Sequence, residues 1–256
     1  MTVSSRTARA HSFNAAAAQY AANRPSYPPA LFDVIEELSG RPLAGARVAD
    51  IGAGTGISTA LLAARGADVV AVEPGEGMAA EFRRAHPDIP IVRGSGNALP
   101  LAGASADLLT YAQAWHWTDT ARSVPEALRV LRPGGALALW WNTSARDVPW
   151  IDAQTTRIGR HFGADGVVDR NGSGLRTALA DPSGRLEFTH RRVRWSRHVP
   201  VDTHLANIGS HSAFLVAPAE RRDAFLEEER GHLLKVFPDG VVEETYDVLL
   251  LVATKP

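Results

Sequence analysis

The stretch Val48-Ala49-Asp50-Ile51-Gly52-Ala53-Gly54-Thr55-Gly56-Ile57 decides the fold of this chain. An apolar run leads into an acidic residue and a glycine-rich turn, and an alanine- and leucine-rich helical pattern follows over residues 58–65. Glycine permits a positive φ and lets the backbone approach a ligand closely, while the start of a helix offers unpaired N–H groups. The stretch therefore predicts a strand, a turn and a helix that bind a nucleotide-like cofactor.

The spacing of the glycines separates the classes of cofactor. A dinucleotide site has the pattern Gly-x-Gly-x-x-Gly, which counted from Gly52 puts the third glycine at Ile57, whereas this chain has it at Gly56. Asp50 would also repel a pyrophosphate and suits a cofactor with a cationic or neutral methionine end. No Gly-Lys-Ser/Thr follows the turn, so it is not a P-loop.

The pattern Asp-x-Gly-x-Gly-x-Gly at residues 50–56 resembles motif I of the class I S-adenosylmethionine-dependent methyltransferases. Four later segments match that family in order, namely residues 68–78, 91–101, 107–117 and 126–135. The resemblance implies an α/β, Rossmann-like fold with a seven-stranded sheet. The sheet is expected to be mostly parallel with an antiparallel last strand, with helices on both faces and an added helical cap.

The resemblance implies S-adenosyl-L-methionine as the cofactor, with S-adenosyl-L-homocysteine as its product. Glu73 is expected to accept hydrogen bonds from both ribose hydroxyls, which one carboxylate can do. Ser95 and Asn97 replace acidic residues that are common in the adenine-side loop, so adenine is expected to use backbone groups and the Asn97 amide. The expected cofactor contacts are Tyr20, Arg24, Asp50, Gly52, Ala53, Gly54, Glu73, Pro74, Met78, Gly96, Asn97, Ala98, Ala112 and Gln113.

The segment before the first strand is similar to the N-terminal cover of the trans-aconitate methyltransferase group. That likeness implies that Tyr20 and Arg24 face the methionine end of the cofactor, where a guanidinium pairs well with a carboxylate. The alternative is that Tyr20 and Tyr27 only pack this segment on the core.

His116 is the candidate general base because it follows the fourth predicted strand, at the sheet edge where open α/β sheets bind ligands. A hydroxyl or protonated nitrogen acceptor needs such a base, whereas a carboxylate acceptor does not. The alternative is that His116 caps a helix or hydrogen-bonds in the core while the flanking tryptophans pack. The residues expected to bind substrate are Trp115, Trp117, Trp141, Asn142 and His211.

Two further patterns concern side chains near the chain's second half. Alternation along the fifth strand points Trp140 and Trp141 to opposite sides of the sheet. His204 and His211 are seven residues apart, a spacing that puts both on one helix face. Because no third ligand follows at the usual spacing, we predict no metal site, and surface positions are the favoured interpretation of both histidines.

Composition narrows the class of protein. The 256 residues are 45% hydrophobic, enough for one core and a subdomain, and the formal net charge of −1 gives no general attraction to nucleic acid or anionic membranes. The absence of cysteine excludes disulfides and thiolate metal sites. No apolar run is long enough to span a membrane, so a cytoplasmic protein is expected, and the sequence leaves monomer and homodimer open.

The predicted organisation has four parts: an N-terminal cover over 1–45, a cofactor-binding core over 46–145, a helical insertion over 146–185, and C-terminal strands with a helix over 186–256. In the last part, Arg191, Arg192 and Arg194 are predicted to lie opposite Glu243 and Glu244 across an antiparallel ladder. A nucleic-acid patch around Trp195 is the less favoured interpretation of these arginines.

The sequence thus predicts methyl transfer to the oxygen, nitrogen or carbon of a small organic molecule, a carboxylate or a secondary metabolite included. One alternative is an NAD(P)-dependent oxidoreductase, which the glycine spacing disfavours. Another is a non-catalytic, cofactor-binding regulatory protein that uses the insertion to hold a partner.

Overall fold

The computed structural model describes residues 23–162, 181 and 184–256. Tyr20, and residues 163–180 and 182–183 of the predicted insertion, lie outside the described residues. The strands are β1 (Arg47–Ile51), β2 (Asp68–Glu73), β3 (Ile91–Arg93), β4 (Ala106–Ala112), β5 (Leu131–Ser144), β6 (Thr189–Pro200) and β7 (Val241–Thr254). The α-helices are α1 (Pro29–Ser39), α2 (Ile57–Ala64), α3 (Glu76–Ala85), α4 (Thr120–Val130), α5 (Pro149–Phe162), α6 (Val201–Gly209), α7 (Ser212–Leu215) and α8 (Ala219–Val236).

The strands form one seven-stranded sheet in the order β3-β2-β1-β4-β5-β7-β6. Strands β1 to β5 pair in parallel, and β7 runs antiparallel to β5 and β6. The central strands β1 and β4 are buried along almost their whole length, as expected for parallel strands that helices cover on both faces. The predicted fold class, with its antiparallel last strand, is confirmed.

The core of the sheet lies around β1, β4 and β5. Leu109 and Trp140 are fully buried on these strands. Helix α1 buries Leu31, Phe32 and Ile35, which recur at helical spacing on one face. Pro29 begins this helix without the loss of a hydrogen bond, and Gly40, at φ 64°, ends it.

The chain divides into two compact units. The sheet unit comprises Ser26–Asn142, Ser173–Val193 and Val248–Pro256, and the second unit comprises Met1–Pro25, Thr143–Gly172 and Arg194–Asp247. The four-part division at 45, 145 and 185 stays a prediction.

The second unit contains a buried polar cluster that corrects one prediction. His204, expected at the surface, is 3% exposed, and its two ring nitrogens lie 2.6 Å from Glu244 Oε1 and 2.8 Å from Gln154 Nε2. Helix α6 ends at Gly209, so His211 lies beyond the helix and does not share its face with His204. The seven-residue spacing failed because it assumed a helix that continues through both positions.

The antiparallel ladder between β6 and β7 corrects another prediction. Arg194 pairs with Asp247, and Arg197 pairs with Glu244, with Arg197 Nε 2.5 Å from Glu244 Oε2. Trp195 stacks on Tyr246, with ring centroids 5.3 Å apart. These three pairs share one register, which differs from the register expected for Glu243 and Glu244. Arg197, which the charge pattern did not single out, is the partner of Glu244.

Candidate active site

The glycine turn joins β1 to α2 at the carboxyl edge of the parallel strands. Gly52, Gly54 and Gly56 have φ values of 68°, 59° and 93°, a region that side chains other than glycine rarely adopt. A Cβ on Gly52 would lie 2.6 Å from the Ala114 Cβ, whereas a Cβ on Gly54 would meet no atom within 4 Å. The turn therefore needs glycine for its conformation, and at Gly54 it borders open space.

Asp50 lies at the centre of the sheet rather than at its edge. Its side chain is fully buried, and its two oxygens accept hydrogen bonds of 2.7 Å from the hydroxyls of Thr59 and Thr110. Burial raises the pKa of Asp50 to about 6, against the lowering effect of these hydroxyls. The structure gives Asp50 a positioning role, because it joins β1 to α2 and β4, and its direct contact with a cofactor stays a prediction.

Glu73 ends β2, the parallel neighbour of β1, and so lies beside the glycine turn. Its Oε2 accepts a hydrogen bond of 2.9 Å from the Gly54 N–H, and its Oε1 accepts one of 2.6 Å from the Gly75 N–H. Burial raises the pKa of Glu73, and the two backbone donors oppose that rise. Each oxygen of an ionised carboxylate has a second lone pair, so Glu73 is held in place with acceptor capacity remaining.

The loop after β3 packs closely against the sheet. Gly96 is buried, and a Cβ there would lie 3.0 Å from Thr118 Cγ2 and 3.2 Å from the Tyr111 hydroxyl. The side-chain oxygen of Asn97 accepts a hydrogen bond of 2.8 Å from the Asp119 N–H, at the start of α4. The Asn97 amide therefore keeps its NH₂ group and one lone pair of its oxygen for a ligand.

The end of β4 carries a strained residue that sequence patterns do not reveal. Gln113 has a φ of 58°, uncommon for a residue other than glycine, and such outliers concentrate at functional sites. Its N–H donates a 2.8 Å hydrogen bond to the Trp140 carbonyl, and its side-chain amide lies 3.4 Å from the Asn142 carbonyl. These contacts fix the backbone at the edge between β4 and β5.

A short 3₁₀ helix, Trp115–Trp117, follows at once and brings the predicted substrate residues to this edge. The indole N–H of Trp141 donates a 3.0 Å hydrogen bond to His116 Nδ1. The ring of Trp117 lies 4.6 Å from the ring of His116. Trp115 is instead 1% exposed and packs edge-on against Tyr111, which favours a packing role for it.

Trp140 and Trp141 point to opposite sides, as predicted. Trp140 is fully buried against Tyr27 and Phe32, whereas Trp141 is partly buried. Asn142 donates its side-chain amide to the Ser26 carbonyl at 3.1 Å.

The remaining predicted residues differ in their surroundings. Ala53 donates its N–H to the Val72 carbonyl at 3.2 Å, and Met78 is buried. Pro74 and Ala98 are exposed, and Ala112 is partly buried.

Two predicted residues belong to the second unit. Arg24 Nη2 lies 3.5 Å from the Ser210 carbonyl oxygen. Burial, with the nearby Arg24 guanidinium, lowers the pKa of His211 well below its usual value.

Comparison with known proteins identifies the family. The methyltransferase domain family matches residues 49–139, which include the glycine turn, Glu73 and His116. An uncharacterised methyltransferase from Mycobacterium tuberculosis is 36% identical over 227 residues, covering 89% of this chain and 87% of the relative. The chain belongs to the class I S-adenosylmethionine-dependent methyltransferases.

Two further similarities agree with this membership. A solved structure assigned as a type II methyltransferase from Anaeromyxobacter dehalogenans is 29% identical, with a TM-score of 0.66 over 90% of this chain and 96% of that one. A demethylmenaquinone methyltransferase from Beutenbergia cavernae is 42% identical over 106 residues, 41% of this chain and 43% of that protein.

The carboxyl edge of the sheet in this methyltransferase has groups that fit S-adenosylmethionine. Glu73 offers acceptors to a diol, Gly54 borders open space, and the buried Thr55 and Tyr111 hydroxyls have no hydrogen-bond partner among the described residues. No cluster of three or more metal-ligating side chains occurs among the residues that were described. Within the same residues, no helix combines the length and hydropathy that a membrane span requires.

Proposed function

We propose that this methyltransferase transfers the methyl group of S-adenosylmethionine to a small organic acceptor at the carboxyl edge of β1, β2, β4 and β5. The observation that carries the proposal is the Glu73 carboxylate, held against the Gly54 N–H at the open side of the glycine turn. A carboxylate in that place suits the ribose diol of the cofactor.

Different residues around this carboxylate are proposed to bind different parts of the cofactor. The backbone of Gly52 to Gly54 and of Ala112 and Gln113 is proposed to hold the methionine moiety, and the loop of Gly96, Asn97 and Ala98 to hold adenine. Arg24 and Tyr20 are proposed to reach the methionine end, and Pro74 and Met78 to border the adenosine.

The cofactor supplies an activated methyl group. The acceptor atom forms a bond to that carbon while the S–CH₃ bond breaks and its electron pair stays on sulfur. The protein contributes alignment and exclusion of water, and alignment alone supplies about 7–11 kcal/mol of such a barrier. Trp117, Trp141, Asn142 and His211 are the residues proposed to meet the acceptor, and oxygen, nitrogen and carbon all remain acceptor atoms of the proposal.

One alternative remains, because membership of the methyltransferase family excludes an NAD(P)-dependent oxidoreductase. A regulatory protein would bind S-adenosylmethionine and transfer nothing.

Calorimetric titration and a turnover assay separate the two functions. We expect S-adenosylmethionine and S-adenosylhomocysteine to bind and NADH not to bind. With labelled methyl donor, we expect label to enter at least one member of a panel of small carboxylic acids, phenols and amines. Binding of NADH alone would overturn the proposal, and cofactor binding without transfer to any acceptor would favour the regulatory protein.

Replacement of Glu73 tests the ribose contact. Glu73→Gln keeps the shape of the side chain but loses its charge and one of its acceptor oxygens. We expect roughly 10- to 100-fold weaker binding of S-adenosylhomocysteine, the range for losing charge-assisted hydrogen bonds. The matched control is Asp68→Asn, at the exposed start of the same strand. Affinity unchanged in both variants would contradict the assignment.

A further inference from the structure

The hydrogen bond between Trp141 and His116 fixes the chemistry of the imidazole. An indole nitrogen is a donor only, so the 3.0 Å contact requires His116 Nδ1 to be an unprotonated acceptor. The neutral ring then carries its proton on Nε2, because neutral imidazole has one N–H and one acceptor nitrogen. The identity of the partner thus selects the tautomer.

That tautomer has no lone pair for a substrate proton. The Nδ1 lone pair is occupied by the indole N–H, and Nε2 is already protonated. To act as a general base through Nε2, His116 would have to move its proton to Nδ1 and break the bond to Trp141. The general-base role predicted for His116 therefore conflicts with the arrangement of its neighbours.

The backbone around the pair holds this arrangement. Gln113, at φ 58°, directs the chain from β4 into the 3₁₀ helix that carries His116, and its N–H binds the carbonyl of Trp140, the residue before Trp141. Trp141 also packs against the sheet core, and Trp117 lies beside the imidazole. The two rings are therefore placed by neighbouring, hydrogen-bonded strand ends.

We propose that His116 binds the methyl acceptor as an Nε2–H donor, and that Trp141 is the positioning residue that sets this tautomer. The acceptor then presents a carboxylate oxygen to His116, and a carboxylate has no proton to lose when it takes the methyl group. The methyl group is transferred without proton abstraction by His116. This inference rests on the proposed function for the acceptor, but the tautomer itself is independent of it.

Nitrogen NMR of the whole protein tests the tautomer without any acceptor. The sample is ¹⁵N-labelled protein saturated with S-adenosylhomocysteine at pH 8. We expect the ¹⁵N chemical shift of His116 Nε2 to be that of a protonated ring nitrogen and the shift of Nδ1 to be that of an unprotonated one. Trp141→Phe keeps an aromatic ring but removes the indole N–H, so we expect the Nδ1 signal to move and the Nδ1–H form to appear. The control is Trp150→Phe in the second unit, whose ring packs on His204 and Phe237. A wild-type ring protonated on Nδ1, or a tautomer unaffected by Trp141→Phe, would overturn the proposal.

Steady-state kinetics test the role of His116 as a hydrogen-bond donor. The substrate is the acceptor that the labelled-methyl assay identifies. His116→Gln places an amide donor near the position of Nε2 and has no basic nitrogen, so we expect it to keep kcat within about tenfold of the wild type. His116→Ala is expected to raise KM and lower kcat further. General-base catalysis is typically worth 10²–10⁴-fold, so equal losses of that size in both variants would reject the donor role. So would a unit-slope fall in rate below pH 7 that disappears in His116→Gln.

Calorimetry distinguishes a failure of this inference from a failure of the proposed function. All His116 and Trp141 variants are expected to bind S-adenosylhomocysteine as the wild type does. If the wild-type chain does not bind S-adenosylhomocysteine, the proposed methyltransferase site is rejected, whatever the tautomer of His116.

Discussion

Single residues in this chain have environments that their sequence neighbours do not specify. Asp50 belongs to the motif that identifies the family, yet its carboxylate is enclosed between two threonine hydroxyls from α2 and β4. Glu73, in the next strand, is anchored instead by backbone N–H groups at the open turn. The two acidic residues thus serve different purposes, one inside the sheet and one at its edge.

The raised pKa of Asp50 predicts a specific dependence of stability on pH. The carboxyl has a pKa of about 6 when folded and 3.8 in its reference state, so the folded state holds the proton more tightly. The protonated carboxyl therefore contributes about 3 kcal/mol to the free energy of unfolding. This contribution is fully present below pH 3.8 and is lost as the pH rises through 6.

Asp50→Asn cannot titrate, and its amide can both donate to one hydroxyl and accept from the other. We therefore expect the free energy of unfolding of the wild type to fall by about 2 kcal/mol more than that of the variant between pH 4 and 6.5. Urea unfolding at both pH values measures this difference, with the exposed Asp88→Asn as the control. If the free energy of unfolding changes equally with pH in the wild type and in Asp50→Asn, the pKa of Asp50 is not raised in the folded state.

At the scale of elements, the glycine turn combines a conformational requirement with open space. Gly52 and Gly54 both have positive φ, but only Gly52 has a neighbour in the way of a Cβ. Gly134, in the irregular first part of β5, has the same kind of φ, 72°, and the same open surroundings as Gly54.

These three glycines allow a matched comparison. Alanine at each costs about 1–2 kcal/mol for the left-handed conformation, and Gly52→Ala costs more because its methyl would contact Ala114 at 2.6 Å. We expect Gly54→Ala and Gly134→Ala to be similarly stable, but only Gly54→Ala to bind S-adenosylhomocysteine more weakly, since its methyl enters the space proposed for the cofactor. Unfolding and calorimetry decide this, and equal cofactor affinity in the last two variants would place the cofactor elsewhere.

The ladder between β6 and β7 contains two ion pairs whose side chains differ in exposure to solvent. Burial alone would raise the pKa of Glu244, but the hydrogen bond and charge of His204, together with Arg197, lower it to about 2. Glu244 is 2% exposed at its side chain, whereas Arg194 is 47% exposed and pairs with Asp147 and Asp247.

Replacement of the two arginines is expected to have unequal effects. Arg197→Ala leaves a buried carboxylate with one partner fewer, which we expect to lower the free energy of unfolding by about 3 kcal/mol. Arg194→Ala is expected to cost less, because its guanidinium is 47% exposed and solvent screens its pairs, although one partner, Asp247, is only 9% exposed. Urea unfolding at pH 7 compares them directly, and a loss from Arg194→Ala as large as that from Arg197→Ala would contradict the role of burial.

At the scale of the whole molecule, the parallel sheet brings together residues that lie far apart in the sequence. Glu73 ends β2, Gln113 follows β4, and Trp141 lies in the last part of β5, and parallel strands place such ends at one edge of the sheet. This is why motifs separated by about twenty to thirty residues form one candidate site. The near-neutral formal charge of −1 adds no long-range attraction, so recognition of the acceptor depends on groups at short distance.

The sequence by itself determined the family, the cofactor turn, the fold class, and the opposite orientations of Trp140 and Trp141. These features depend on local patterns: glycine conformation, alternation along a strand and the spacing of apolar residues. Only the tertiary structure decided the tautomer of His116, the strain at Gln113, the burial of His204 and the register that pairs Arg197 with Glu244. Each of these depends on which side chains meet across strands and helices, and that pairing is set by the packing of the whole sheet rather than by neighbours along the chain.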